Sequence, residues 1–459
     1  MKVCIAVFIC KLLYFIGKRV GKGSSLPGKT VLRIFPDILG WLKLPKMIIA
    51  VTGSNGKTTT AELIAHALKA NGMSVGWNYE GSNQTEGVAT LLLRLASFNG
   101  KVKRDAIVME CDERYARNIF EKVRPSVLLV TNLCRDQLTR NGHPEFVGDC
   151  IQEALIAAGP DVKLVLNADD PYVAALARVW DSKTENRPLS YGVNAASGTT
   201  DRLGMYDDGA FCPVCKERMT YGYRIIGHYG SYSCAACGLK RNSPDVEVTV
   251  IQGDGSLVFR TKEENSLGSD ESLRLKVILP SITNTYNFCS TVAVAKAAGI
   301  SAEDTVKALE GYELTGGRTM LMTLGDRKVL LLISKHENTF AYDASLSWIV
   351  GQEKPCTVVI LVDDISRKYI TGETSWFWDV DFGLLADGNV KNIVLAGRYV
   401  DELAMRFSIL EINKEKVIYV ADPGGLREFV EENTTGDIYA MTCFSDKAKL
   451  LKAFNSKHK

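Results

Sequence analysis

The chain has 459 residues, of which 46% are hydrophobic and 24% are charged. This composition excludes a disordered chain, and the length is sufficient for two or three domains. The formal net charge of +2 gives no indication of nucleic-acid binding. The 12 cysteines do not form the pattern of a secreted disulfide framework, so we expect a reduced, cytoplasmic protein.

The first element is an apolar run from Val3 to Ile16, which Lys11 interrupts and which Lys18, Arg19 and Lys22 follow. The run is too short to span a bilayer, which takes about 20 apolar residues. It also ends in basic residues instead of the small-residue cleavage site of a signal peptide. Two interpretations stay open, a helix resting on the inner face of the membrane and a helix packed on the body of the protein.

The next apolar run ends in a glycine-punctuated turn that leads into a helical segment. This order of strand, turn and helix is typical of a phosphate-binding loop, in which backbone N–H groups close on phosphate oxygens. Lys57 is predicted to reach the outer phosphates, and the Thr58 hydroxyl to hold Mg²⁺. The general motif has an earlier glycine where Ala50 and Val51 stand. We predict nucleoside triphosphate (ATP) binding by Gly53, Asn55, Gly56, Lys57, Thr58 and Thr59.

From residue 47 to about 200, short apolar runs alternate with helical stretches, which predicts a doubly wound, mostly parallel sheet with helices on both faces. The runs are Met47–Val51, Ala106–Met109, Val127–Thr131 and Val162–Leu166, and the predicted helices are Thr59–Ala70, Tyr115–Val123 and Phe146–Ala158. The carboxyl ends of such strands lie near the phosphate loop. Glu110, at the end of the second run, is therefore predicted to orient Mg²⁺ beside Thr58. A solvated acidic turn is the alternative.

Residues 205–245 break this pattern with two CxxC pairs, Cys212 with Cys215 and Cys234 with Cys237, which eighteen residues separate. This spacing is typical of a zinc ribbon, in which four thiolates surround one tetrahedral Zn²⁺. Redox chemistry is the alternative. Four thiolates leave no open position for a reacting water, so the predicted zinc site is structural.

The rest of the chain predicts two further boundaries. Strand-like segments at Val246–Arg260 and Leu273–Leu279 and helices at Tyr286–Ala298 and Ala302–Leu309 complete a central domain of residues 47–315, preceded by an N-terminal helix and linker of residues 1–46. Beyond the loop at residues 314–318, runs at Val329–Ser334, Thr357–Val362, Asn392–Leu395 and Lys416–Ala421 predict a smaller Rossmann-like α/β domain of residues 316–459.

These segments together resemble the Mur ligase family. The resemblance is carried by Thr52–Thr59, the strand-end Glu110, Asn132–Leu138 and Leu166–Pro171. The zinc ribbon and the segment Thr374–Phe382 narrow it to the branch of the family that amidates lipid II, and it covers nearly the whole chain. Members of the family activate a carboxylate with ATP as an acyl phosphate, which an amine then attacks.

The resemblance implies a specific reaction, the ATP-dependent amidation of the α-carboxyl of D-glutamate in the lipid II stem peptide. Ammonia would come from a GatD-like glutamine amidotransferase partner in a heterodimer, and lipid II would be met at the membrane surface. The resemblance further implies that Asn83 lies by the phosphates or substrate and that Asn284, Asn287 and Arg318 contact the nucleotide. Helix capping for Asn284 and a domain-linker ion pair for Arg318 are the alternatives.

The C-terminal domain of the family is also implied to supply a catalytic carboxylate to the Cys–His pair of the partner. Here Glu373 stands where the family has Asp, and Asp364 and Asp379 are alternatives. The segment Lys335–Phe340 and Thr139, which replaces an expected Asp, depart from the family pattern as well.

Two other functions stay open. A Mur- or folylpolyglutamate-type ligase would add an amino acid instead of ammonia, and the zinc ribbon and the Ser-Trp-x-Trp-Asp segment argue against it. A nucleic-acid-binding NTPase with a zinc ribbon would need a basic, aromatic-laced face, and the near-zero net charge argues against that.

Overall fold

The computed structural model describes residues 1–19, 23–79, 81–181, 186–194, 204–252, 254–262, 271–277, 281–314, 319–365 and 372–455. They form two compact units, which are described separately. The first comprises the described parts of 1–134, 141–202 and 208–316, and the second those of 135–140, 203–207 and 317–459.

The first unit begins with helices and continues as alternating strands and helices. Its helices are α1 (Lys2–Arg19), α2 (Leu26–Ile34), α3 (Lys57–Ala70), α4 (Thr85–Leu95), α5 (Ala116–Phe120), α7 (Pro144–Ala158), α8 (Pro171–Asp181), α9 (Ile282–Ala297) and α10 (Ala302–Leu309), with a 3₁₀ helix at Ile38–Trp41. The short helix α6 (Leu138–Asn141), between α5 and α7 in the chain, lies mostly in the second unit. Its strands are β1 (Met47–Thr52), β2 (Val75–Trp77), β3 (Ala106–Glu110), β4 (Val127–Val130), β5 (Lys163–Asn167), β6 (Leu189–Val193), β7 (Thr220–Ile226), β8 (Tyr229–Ser233), β9 (Val246–Ile251), β10 (Ser256–Thr261) and β11 (Glu271–Lys276).

The main sheet of this unit has the strand order β11-β10-β9-β6-β5-β4-β1-β3-β2 among the described residues. Neighbouring strands from β2 to β9 are parallel, and β9, β10 and β11 are antiparallel. Central strands β3 and β4 are buried at every position, since helices cover both faces of such a sheet. The doubly wound, mostly parallel sheet predicted from the sequence is thus confirmed.

A small antiparallel hairpin, β7 and β8, lies outside this sheet, in the chain between β6 and β9. The two CxxC pairs flank it, one before β7 and one after β8. The insertion that the cysteine spacing predicts is therefore a separate two-stranded element.

The second unit contains β12 (Thr319–Leu324), β13 (Arg327–Ser334), β14 (Cys356–Leu361), β15 (Val390–Ala396), β16 (Val417–Val420) and β17 (Asp437–Cys443). Its helices are α11 (Thr339–Val350), α12 (Val400–Ser408), α13 (Leu426–Asn433) and α14 (Lys447–Asn455), with 3₁₀ helices at 375–378, 382–386, 414–416, 423–425 and 444–446. Among the described residues the sheet order is β12-β13-β17-β14-β15-β16, in which β12 runs antiparallel to β13 and the other neighbouring strands are parallel. This is the smaller Rossmann-like sheet expected from the sequence.

None of the described helices combines the length and the apolar character needed to cross a bilayer.

Asp170, in the loop after β5, connects that loop to α8 and to the loop after β4 at the carboxyl edge of the main sheet. Its side chain is fully buried. One carboxylate oxygen accepts hydrogen bonds from the backbone N–H groups of Tyr172 and Val173, at 2.9 and 3.3 Å, in the first turn of α8. The other accepts from the N–H of Leu133, at 2.8 Å, in the loop after β4. A single carboxylate therefore caps a helix and fixes the neighbouring loop.

We predict that Asp170→Ala lowers the free energy of unfolding of the first unit by about 2 kcal/mol or more, because it removes a helix cap and leaves the buried Leu133 N–H without an acceptor. Thermal and urea unfolding measure the change. The matched control is Asp161→Ala, an exposed acid in the turn before β5, which should change stability little. Equal stability of the two variants would contradict the role given to Asp170.

Candidate active site

The phosphate loop connects β1 to α3, and two glycines shape it. Gly53 has φ of 122° and Gly56 has φ of 80°, which is backbone that other residues rarely adopt. A Cβ atom on Gly53 would lie 2.3 Å from the Thr131 hydroxyl oxygen, and one on Gly56 would lie 2.3 Å from Oδ1 of Asn287. Both positions therefore require glycine, for conformation and for space.

The end of the next strand, β4, holds this loop in place. The Asn55 N–H donates to Oδ1 of Asn132 at 2.7 Å, and the Asn55 carbonyl accepts from the Thr131 hydroxyl at 2.8 Å and from the Asn132 amide at 3.1 Å. The Ser54 N–H donates to the Asn132 carbonyl at 2.9 Å. The sequence placed Thr131 and Asn132 directly after a strand but did not indicate this anchoring role, which depends on strand order.

Lys57, the first residue of α3, is 4% exposed. Its ammonium donates to the carbonyls of Gly53 and Ser54 and forms an ion pair with the carboxylate of Glu113. Glu113 is also buried. A buried ammonium needs such a partner to stay charged. Of the acidic residues at the end of β3 and just after it, only Glu110 was predicted from the sequence to lie at the site, and Glu113 was not.

Thr58, Glu110 and Asn83 meet beside the loop. The Thr58 hydroxyl donates to one carboxylate oxygen of Glu110 at 2.8 Å, and the Asn83 amide donates to the other at 3.0 Å. The Asn78 side chain accepts a hydrogen bond from the N–H of Glu110 at 2.8 Å and donates one to its carbonyl at 2.9 Å. This role of Asn78 was not predicted from the sequence. Hydroxyl and carboxylate oxygens are the ligands that Mg²⁺ prefers, so this pair fits the metal predicted there.

The remaining residues predicted to bind nucleotide differ in their placement. Asn287, on α9, accepts from the Thr60 hydroxyl at 3.2 Å and so lies against the first turn of α3. Asn284 lies one turn earlier on α9, where its N–H donates to the Ser281 hydroxyl at 3.3 Å. Ser281 is the N-cap residue, and Asn284 takes part in this cap through its backbone N–H. Thr59 lies in the first turn of α3, and Arg318 lies outside the described residues.

The four cysteines of the hairpin insertion form one cluster, with all sulfur atoms within 4.8 Å of one another. Sγ of Cys212 is 3.5 Å from Sγ of Cys237, and Sγ of Cys215 is 3.4 Å from Sγ of Cys234. Tetrahedral Zn–S bonds of about 2.3 Å would place sulfurs about 3.8 Å apart, so the cluster fits that ion. A backbone hydrogen bond from Leu239 lowers the pKa of Cys237 to about 6, although burial and its neighbouring thiols raise the pKa of Cys215.

In the second unit, the three candidate acids have different partners. Asp364 pairs with Lys449 at 2.8 Å, and Asp379 pairs with Arg135 at 3.7 Å. Glu373 accepts from the N–H of Ser375 at 2.7 Å. The side-chain and backbone hydrogen bonds from Ser375 hold the pKa of Glu373 below its usual value. Glu373 is therefore ionised at neutral pH, as an acid that orients a histidine must be.

The two departures from the family pattern contact each other within this unit. Both carboxylate oxygens of Glu337 accept from the Thr139 hydroxyl, at 2.8 and 2.7 Å. Beside this contact, the ammonium of Lys335 lies 2.6 Å from Asp136, and the Asn338 amide donates to Asp136 at 2.8 Å. Thr139, where an acid was expected from the family resemblance, thus contacts an acid of the segment Lys335–Phe340.

Two family models match the chain. The Mur ligase middle domain matches residues 51–238, and the MurT ligase C-terminal domain matches residues 336–446. Both matches lie in regions where the structure has the corresponding α/β sheet.

Relatives with similarity over most of their length are MurT subunits of lipid II isoglutaminyl synthase (glutamine-hydrolyzing). The subunit of Staphylococcus aureus strain COL is 28% identical, over 90% of this chain and 89% of its own. The subunit of Streptococcus pneumoniae is 26% identical, over 97% of this chain and 95% of its own. The similarity thus extends over nearly the whole chain.

Solved structures with the same fold include a pseudomurein peptide ligase and MurF. A pseudomurein peptide ligase type C of Methanothermus fervidus gives a TM-score of 0.68 at 20% identity, covering 93% of this chain and 84% of that chain. MurF of Acinetobacter baumannii gives 0.64 at 16% identity, covering 93% and 80%. From the two family models, the relatives and this shared fold, the chain is similar to Mur ligases and, over nearly its whole length, to MurT subunits.

Proposed function

We propose that this chain is an ATP-dependent carbon–nitrogen ligase, the ligase subunit of a glutamine-hydrolysing lipid II isoglutaminyl synthase. It would convert the α-carboxyl of D-glutamate in the stem peptide to the amide of D-isoglutamine. The observation that carries the proposal is the phosphate loop with Lys57–Glu113 and Thr58–Glu110–Asn83 beside it, in a chain similar to MurT subunits along nearly its whole length.

The chemistry follows from the weakness of a carboxylate as an electrophile. In the proposed reaction, a carboxylate oxygen attacks the γ-phosphorus of ATP and the bond to the β-phosphate oxygen breaks, which releases ADP. Ammonia then attacks the carbonyl carbon of the acyl phosphate and loses a proton, and inorganic phosphate leaves. The backbone N–H groups of the loop would bind the phosphates, and the Lys57 ammonium would offset the negative charge on the transferred phosphoryl group.

Thr58 and Glu110 would hold Mg²⁺, which when bound neutralises phosphate charge and orients the oxygens. Asn83 donates to the same carboxylate and would position it, or lie by the substrate. Glu113 would keep Lys57 charged and directed at the loop.

Lys57→Ala tests the proposed phosphoryl transfer from ATP. We expect a loss of about a hundredfold or more in amidation rate, because the charge on the transferred phosphoryl loses its counterion. The protein is co-expressed with a GatD-like glutamine amidotransferase, and lipid II is analysed by mass spectrometry for replacement of a hydroxyl by an amide. Lys69→Ala, at the other end of α3, is the control.

Adding Glu113→Gln to Lys57→Ala removes the carboxylate that the single change would leave buried, and so separates a folding defect from a catalytic one. Normal amidation by a folded Lys57 variant would contradict the proposal. Lipid II that gains an amino acid instead of an amide would favour a ligase of the Mur or folylpolyglutamate type.

We further propose that the four-cysteine cluster holds a structural zinc ion, which leaves no position for a reacting water. Cys212→Ser should release the metal and lower the thermal stability of the first unit, since metal binding and folding of small ribbons are coupled. Metal analysis and thermal unfolding measure this. The matched control is Cys356→Ser, a cysteine of β14 outside the cluster, which should keep the metal. Unchanged metal content in Cys212→Ser would contradict the assignment.

The proposed partner is a GatD-like glutamine amidotransferase in a heterodimer, with Glu373 orienting the histidine of its Cys–His pair. Glu373→Ala should stop glutamine-driven amidation and spare amidation on added ammonium, because only ammonia release needs that histidine. Asp364→Ala and Asp379→Ala test the two alternatives in the same assay. Equal loss with both nitrogen sources would assign Glu373 a different role.

The proposed location is the cytoplasm, at the inner face of the cell membrane, since ATP is soluble and the substrate is a lipid. No nucleic-acid partner is proposed.

A further inference from the structure

Helix α1 is largely apolar, with Lys2, Lys11, Lys18 and Arg19 as its basic residues, and the described part of the chain covers one of its sides. Ala6, Val7, Cys10 and Gly17 are buried, and the first three belong to a core cluster that also contains residues of α2 and α4. At about 100° per residue, these four positions lie on one side of the helix. That side is an ordinary core-facing surface.

The opposite side is equally apolar but exposed, and we name it the open side of α1. At about 100° per residue its residues fall within a sector of roughly 120°. Helix α1 contains no Asp or Glu. Contiguous exposed apolar patches are rare on soluble proteins and mark interaction sites. The open side consists of Ile5, Phe8, Leu12, Phe15 and Ile16.

Two exposed aromatic residues outside the helix have lysines of α1 over their rings. The Lys2 ammonium lies 5.5 Å from the ring centre of Trp41, and that of Lys11 lies 5.4 Å from the ring centre of Phe98. Trp41 and Phe98 are 45% and 54% exposed. An apolar surface flanked by lysines and by an exposed tryptophan is typical of a helix in the membrane interface.

The charge of this region narrows the partner further. Residues 1–46 contain seven Lys and two Arg but a single acid, Asp37, which is ion-paired with Lys122 at 3.1 Å. The whole chain carries a net charge of only +2, so the basic excess is local. An apolar centre with a basic surround complements an anionic lipid surface, where each basic residue strengthens binding.

We propose that the open side of α1 binds the protein to an anionic membrane surface. In this arrangement α1 lies in the headgroup region, and its opposite side stays in the protein core. The helix has 18 residues and does not span a bilayer. The inference rests on the proposed function, because a lipid-linked substrate gives a reason for the protein to bind the membrane surface. Membrane binding would explain why the exposed side of this helix is apolar.

The test is sedimentation of the full chain with vesicles of phosphatidylglycerol and phosphatidylethanolamine, and with vesicles of phosphatidylcholine alone. We expect binding to the anionic vesicles that salt weakens, and binding to phosphatidylcholine about tenfold weaker or less. Phe8→Glu with Phe15→Glu should abolish binding. These side chains are 57% and 59% exposed, so the fold should be kept. The matched control is Ile156→Glu, on α7 and 63% exposed, which should bind as the wild type does.

A second variant tests the charges without touching the apolar residues. Lys18→Gln with Arg19→Gln should weaken binding to anionic vesicles roughly thirtyfold, at about 1 kcal/mol for each residue. Wild-type protein that does not sediment with anionic vesicles would overturn the proposal. A Phe8 and Phe15 variant that still binds them would overturn it too.

Two other outcomes would assign the open side to a protein. If the Phe8 and Phe15 variant changes oligomeric state in light scattering, or fails to bind the glutamine amidotransferase subunit, the surface is an interface between proteins. Amidation of lipid II in detergent micelles separates this inference from the proposed function. The Phe8 and Phe15 variant should amidate lipid II in micelles. Absence of amidation by the wild type in micelles would contradict the proposed function but not the proposed membrane binding.

Discussion

The first unit depends on how the phosphate loop is held by the strand beside it. Two glycines allow the loop its conformation, but Thr131 and Asn132, at the end of β4, fix it through the backbone of Ser54 and Asn55. Asp170 fixes the residue after Asn132 and caps α8 at the same time. The geometry of the loop proposed to bind nucleotide is thus stabilised by residues that follow three neighbouring parallel strands.

Burial explains why charged residues around the loop come in pairs. Lys57, Glu110 and Glu113 are all nearly inaccessible to water, and a buried unpaired charge is strongly destabilising. Glu113 balances Lys57, while Thr58 and Asn83 satisfy the two oxygens of Glu110. The division leaves Glu110 with hydroxyl and amide neighbours instead of a cation, which suits a carboxylate proposed to hold a metal.

The second unit shows how a departure from a family pattern is compensated. Taken singly, Thr139 in place of an acid and Glu337 in an altered segment both look like losses. In the structure they are hydrogen-bonded to each other, so each satisfies a polar group of the other. This interpretation bears on the proposed coupling to a glutaminase partner, because altered residues in this unit do not by themselves mean a lost interaction.

The sequence by itself determined the fold class, the glycine-rich turn between β1 and α3, the grouping of the four cysteines and the proximity of Thr58 and Glu110. These features are local, since they depend on alternation of apolar runs, on spacing within a turn or on position at a strand end. It also predicted Asn83 and Asn287 near the site through family resemblance. Only the tertiary structure decided the roles of Asn78, Glu113, Thr131 and Asn132, because strand order and loop packing bring together residues that are distant in the chain. For α1 the sequence left two interpretations open, and the structure has a core-packed side and an exposed apolar side on the same helix.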